Sequence, residues 1–267
     1  MKSFIKVVFV LLFTYFFLLG IVSKFKETTS TLSTENFDEF SEEDSTGVMH
    51  ARYWFDQDYY NSFNAKYRLW NISADYASES RNSYDPPLED YSSHDRYWGS
   101  IYRYLVNKDS LALRPINDSL FQVGNDFLLN RTEFANMLVA FVQDIPYHYV
   151  IPGECTSEND DHPCLPNEKF GILSPVEFLY TLSGDCDTRT TLLYQMLNHF
   201  GYETIVLISR EYAHAMLGVN IPSSGDYIRH KGRKFYFWET TAIGWKSGMI
   251  PDGLENKNYW KIALDYE

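Results

Sequence analysis

The chain has 267 residues, 45% of them hydrophobic, enough apolar side chain for a sizeable core and too much for a disordered protein. Acidic residues outnumber basic ones 36 to 23, for a net charge of −13 with no offsetting Lys/Arg cluster, which argues against nucleic acid as a partner and reads as solubility. Its 3 cysteines are too few for a disulfide scaffold and form no paired CxxC of the kind that holds zinc.

Lys2 and Lys6 precede an uncharged run, Val7 to Val22, and Lys24 and Lys26 follow it. A basic start before an apolar stretch is either a signal peptide or an uncleaved anchor. As a helix the run reaches about 24 Å, short of a hydrocarbon core of about 30 Å, but flanking lysines can snorkel. No Ala-x-Ala type cleavage site follows, so residues 1–26 are expected to form a transmembrane helix. That makes the protein single-pass in the cell membrane with its remainder outside the cytoplasm, periplasmic in a Gram-negative cell. Glu27 to Asp44 carries 7 acidic residues and no basic one, so residues 27–48 are expected to be an acidic, disordered linker.

Residues 49–129 are an aromatic-rich opening to the globular part, and the aromatics are expected to serve packing rather than a sugar platform. Trp70, Ile72, Ala74 and Tyr76 alternate with polar neighbours, as in a half-buried strand. Asp85-Pro86-Pro87 breaks that pattern, and Trp98, Ile101, Tyr102 and Leu105 then fall at helical spacing. Asn130 with Glu133 makes a capping box before Phe134, Met137, Leu138 and Phe141. Ser174-Pro175-Val176-Glu177 opens a further helix, which ends near Gly184. Between the two lie Cys155 and Cys164, expected to pair as a disulfide. The four carboxylates from Glu154 to His162 lack EF-hand spacing and read as a solvated loop, not a metal site.

Asp185 to Phe200 reads as a helix with Leu192, Leu193, Met196 and Leu197 inward and Gly201 as its stop. Three strand-like runs follow, Thr204–Ile208, His214–Ile221 and Lys234–Glu239. Helices feeding an antiparallel sheet define an α+β class.

Cys186 stands alone at the expected helix start, where free backbone N–H groups and the helix dipole favour a thiolate. A thiol nucleophile also needs an imidazole to take its proton and a carboxylate to orient that imidazole. His214 opens one strand and Glu239 closes another, so neighbouring strands would bring both to the thiol. The Cys186 backbone N–H is a natural oxyanion donor; Gln143 and Trp238 carry N–H groups suited to the second, with nothing to choose between them. The other histidines, including His50, His94, His148, His162, His199 and His230, have no such pattern.

Gly184-Asp185-Cys186-Asp187, with Leu192-Leu193 and Gly201-Tyr202 beyond, resembles the nucleophile helix of the transglutaminase-like superfamily. His214-Ala215 is similar to its His-Ala element, and Phe237-Trp238-Glu239-Thr240 to the strand that ends in its third catalytic residue. Phe141 to Tyr147 and Gly244-Trp245-Lys246 resemble flanking segments of bacterial members; residues 48–130 resemble nothing in the family. The resemblance implies a papain/transglutaminase-like core over residues 130–267, with the nucleophile helix packed on an antiparallel sheet. It implies a thiol hydrolase or acyltransferase acting on peptide or isopeptide amides through a thioester, with catalytic Cys186, His214 and Glu239. It calls for a peptide or protein substrate and no cofactor. Glu239 replaces the usual Asp, one methylene longer, which implies a wider or looser triad. A catalytically silent binding module of the cell envelope is the alternative within the same family.

Overall fold

The computed structural model describes residues 38–156 and 163–266. Strands β1 (Phe40–Glu43), β2 (Gly47–Asp56) and β3 (Asn61–Trp70) form an antiparallel sheet in that order. β2 and β3 pair along their whole length, from Gly47 opposite Trp70 to Asp56 opposite Asn61. Period-two alternation in β3 buries Phe63, Ala65, Tyr67 and Leu69 on one face. The end of the acidic stretch is β1 itself, an exposed edge strand with Phe40 opposite Ala51.

Four helices follow: α1 (Asn71–Ser83), α2 (His94–Asp109), α3 (Arg114–Asp126) and α4 (Arg131–Gln143). α4 opens on the reciprocal Asn130–Glu133 capping box. Its buried face takes up the hairpin, with Trp54 donating to the Met137 carbonyl at 3.2 Å and its ring edge-on to Phe141. Two short parallel strands, β4 (Tyr149–Val150) and β5 (Cys164–Leu165), lie beside the disulfide that joins Cys155 and Cys164. α5 (Pro175–Thr181) has a second capping box, Ser174 with Glu177, and α6 (Cys186–His199) follows after a tight turn.

The closing sheet has the order β10 (Lys261–Leu264), β6 (Thr204–Ser209), β7 (His214–Val219), β9 (Arg233–Trp238), β8 (Tyr227–His230), antiparallel throughout. α6 lies between α4 and the β6–β7 side of this sheet. Val206, Ile208 and Leu217 face the helices in the same buried cluster as Trp54, Ile101, Leu120 and Leu193. Ile205, Leu207 and Met216 point the other way, into a cluster with Phe235, Phe237 and Trp260. Burial on both faces is why β6 reads as an unbroken apolar run.

Two expectations are corrected. The residues from Trp70 to Tyr76 are not a strand: Trp70 ends β3 and Asn71 begins α1, leaving Ile72 and Tyr76 exposed. The inward face of α1 is Ala77, Ser80 and Arg81, small and polar residues that hydrophobic periodicity cannot register. Arg81 is buried because its guanidinium forks onto both Glu177 oxygens, each at 2.8 Å, and reaches Glu168 as well. The second correction concerns fold class. The architecture is α+β with antiparallel sheets, and no helix among the described residues is long and apolar enough to cross a membrane. The apolar run expected to be a transmembrane helix lies outside the described residues.

Candidate active site

The turn before α6 is built by close packing. A Cβ on Gly184 would sit 2.7 Å from Thr188 Cγ2 and 2.8 Å from a Phe178 ring carbon, so only glycine lets the chain pass between α5 and α6. Asp185 then caps α6 by accepting from the Thr188 amide at 3.1 Å, and Cys186 is the first helical residue. The thiol is buried, and the backbone N–H of Ala215 hydrogen-bonds to its sulfur. The strand that carries His214 thus lies against the helix start.

His214 and Glu239 meet because β7 and β9 are antiparallel neighbours. Leu217 faces Trp238, so continuing both strands brings the His214 end of β7 beside Glu239. His214 Nε2 and Glu239 Oε2 are 2.7 Å apart. The other Glu239 oxygen accepts from the amides of Thr240 and Thr241 at 2.7 and 2.9 Å and from the Thr241 hydroxyl at 2.8 Å. Burial would raise this carboxyl, but hydrogen bonds from His214 and Thr241, with the charge on His214, hold it below its ordinary value. The extra methylene of Glu239 therefore leaves no slack in its own contact with His214. Thr190, halfway along the first two turns of α6, contacts the Thr240 hydroxyl at 3.3 Å and the Ala215 carbonyl at 3.5 Å, tying the helix to both strands.

Gln143 and Trp238 are excluded as oxyanion donors by the partners they have. Gln143 donates to the carbonyls of Glu239 and Trp245 at 2.7 and 3.0 Å, and Trp238 donates to the same Trp245 carbonyl at 3.0 Å. Both brace the strand exit beyond Glu239. The Tyr147 hydroxyl lies beside the Cys186 backbone amide, the donor that an oxyanion would use.

Arg189, wholly buried one turn into α6, escaped the sequence reading. It donates to the carbonyls of Gly184 at 3.1 Å, Val142 at 2.9 Å and Ile145 at 2.5 Å, and approaches that of Thr240 at 3.5 Å. Burial lowers its pKa to about 10, which leaves it cationic at neutral pH. The available signal was its place three residues after Cys186 and four before Leu193, on the inward stripe of a predicted helix.

The thiol does not have the low pKa that its helix position suggested. Burial, then the carboxylates of Asp187 and Asp185, push it well above its ordinary range. Cys186 Sγ donates to Asp187 Oδ2 at 3.6 Å, and Tyr102 on α2 donates its phenolic hydrogen to Asp187 Oδ1. Burial and the neighbouring Asp187 raise Asp185 to about 8; Asp187 is raised by burial against the opposing pull of its two donors. Asp187, His214, Tyr102, Trp98 and Arg210 share a cavity of about 220 Å³. α2, from the part of the chain outside the family resemblance, is thus one wall of the cleft. A larger cavity of about 490 Å³, near Tyr84 and Arg103, holds none of these groups. Among the described residues no cluster of His, Cys, Asp and Glu is arranged to hold a metal ion.

Comparison of the chain with protein-family models, with curated proteins and with solved structures finds no match.

Proposed function

We propose that this protein is a transglutaminase-like thiol hydrolase or acyltransferase that acts on peptide or isopeptide amides through a Cys186 thioester. The observation that carries the reading is the 2.7 Å His214–Glu239 contact, closed from behind by Thr240 and Thr241, at the strand ends that meet the start of α6. With Nε2 committed to Glu239, Nδ1 is the nitrogen available to the thiol. His214 then takes the thiol proton as the sulfur attacks the amide carbon, returns it to the leaving amine, and activates the acceptor that frees the acyl group. Arg189, a fixed cation near the helix start, favours the negative charge that develops on sulfur.

Water is the proposed main acceptor, since amine transfer needs a site that excludes it. The disulfide between Cys155 and Cys164 supports an oxidising compartment outside the cytosol. A catalytically silent binding module is the second reading, favoured by the raised thiol and by the phenol beside the Cys186 amide.

Two measurements decide between the readings. Iodoacetamide labelling of Cys186 should slow at least tenfold in His214→Ala at neutral pH. A glutamine-containing peptide mixed with a lysine donor should yield more deamidated or cleaved product than isopeptide, and none with Cys186→Ala. Labelling indifferent to His214 would leave the binding module as the better description.

A further inference from the structure

We propose that Asp187, oriented by Tyr102, is a positioning residue that latches the Cys186 thiol in its protonated form until the cleft is occupied. The inference rests on the reading of Cys186 as a nucleophile. Its geometry joins three side chains from two separate elements. Tyr102 donates to Asp187 Oδ1, which turns Oδ2 toward the sulfur, and Sγ donates to Oδ2 at 3.6 Å. Tyr102 is fully buried and stacked on Trp98 at 5.6 Å between ring centroids, so its hydroxyl has a fixed direction.

The proton stays on sulfur in this arrangement. An ordinary thiol outranks an ordinary carboxyl by about 4.6 pKa units, so S–H···O is the stable form and transfer to Asp187 is uphill. A carboxylate in contact with sulfur also opposes formation of the thiolate. The charged and titratable groups facing Asp187 are Tyr102 and His94 on α2, Cys186 and Asp185 at the start of α6, His214 on β7, and Arg210 on the loop before it. Glu239 adds a further negative charge felt by the thiol. Among these groups Arg210 is the one whose positive charge does not depend on titration.

Release follows from the same contacts. A ligand seated in the cleft bears on Trp98, and through it on the tyrosine that holds Asp187. Once S–H turns from Oδ2, its proton passes to Nδ1 of His214, whose Nε2 is already held by Glu239. The products are thiolate and imidazolium, with no proton gained or lost overall. Asp187 thus suppresses the thiol at rest and takes no part in the bond-making step.

The test is the second-order rate of iodoacetamide alkylation at Cys186 from pH 5 to 10 on the full chain, with melting temperatures recorded for each variant. Asp187→Asn should speed alkylation at pH 7 at least tenfold and move the midpoint of the pH profile at least one unit lower. Tyr102→Phe should give a smaller acceleration in the same direction, and it decides the matter should Asp187→Asn fail to fold. Unchanged or slower alkylation in a folded Asp187→Asn, or in Tyr102→Phe where that variant must decide, overturns the latch. The nucleophile reading has its own control, run where the latch is absent: it fails if adding His214→Ala to Asp187→Asn, or to Tyr102→Phe, leaves the alkylation rate of that variant unchanged.

Discussion

Replacing Glu239 by Gln isolates what its charge does, because the amide keeps the shape. The retained oxygen can still accept from the Thr240 and Thr241 amides and the Thr241 hydroxyl, three contacts of 2.7 to 2.9 Å. An NH2 group then replaces Oε2, which stands 2.7 Å from His214 Nε2. Since NH2 only donates, His214 must accept at Nε2 and carry its hydrogen on Nδ1, the tautomer that cannot take a proton from the thiol. The imidazolium also loses its partner. Inverting the tautomer in a Ser-His-Asp triad costs about 10⁴ in turnover, and the same logic here sets an expected loss of about 10³ to 10⁴, or about 4 to 5.5 kcal/mol of activation free energy. Stability should fall far less: one charge-assisted hydrogen bond becomes a neutral one, at about 1–3 kcal/mol. For a chain of this size that is a drop of only several degrees in Tm. The assay is the pH profile of Cys186 alkylation beside calorimetric melting. A rate loss below tenfold, or collapse of Tm with unchanged activity per folded molecule, would refute the argument and make Glu239 structural.

Asp109, buried under the start of α5 and accepting from the Val176 amide at 2.8 Å, is raised from 3.8 to about 6, chiefly by burial. A carboxyl raised on folding weakens the fold as pH climbs from its unfolded value through its folded one, here by about 3 kcal/mol in all. Asp109→Asn should therefore gain about that much over the wild type between pH 3.5 and pH 8 in urea titrations, and parallel curves would show that the group titrates normally. Removing the Cys155–Cys164 crosslink with two serines should cost about 2–3 kcal/mol by the chain-entropy relation for a loop of about ten residues, read as a lower Tm. Gly184→Ala should destabilise by about 1–3 kcal/mol, since Thr188 or Phe178 must yield, and should slow Cys186 alkylation by tilting the start of α6; an unperturbed variant would mean that the turn relaxes freely.

What the sequence disclosed was local. The Asn130–Glu133 and Ser174–Glu177 capping boxes are legible because each is closed by residues three apart. Cys186, His214 and Glu239 are legible as a set because helix start, strand start and strand end are all local signals. α1 was misread because Ala77, Ser80 and Arg81 make its inner face, and the burial of Arg81 depends on Glu177, 96 residues away. The same holds for Asp187, whose direction is set by Tyr102 across 85 residues. The family pattern attached no role to Asp187, and its effect on the thiol runs against the helix-dipole expectation.

The contacts of Arg189 bear on how the site comes apart. Its charge is wholly desolvated and is compensated by carbonyls from three stretches of chain: the end of α4 with its following turn, the approach to α6, and the exit from β9. Withdrawing any one of them leaves a buried cation short of acceptors, a cost of several kcal/mol. Partial opening of this floor is accordingly as expensive as unfolding, and heating should abolish thiol chemistry and tertiary structure in a single transition. Any breathing that admits substrate is left to the opposite side of the cleft, where Trp98 and Arg210 carry no such obligation.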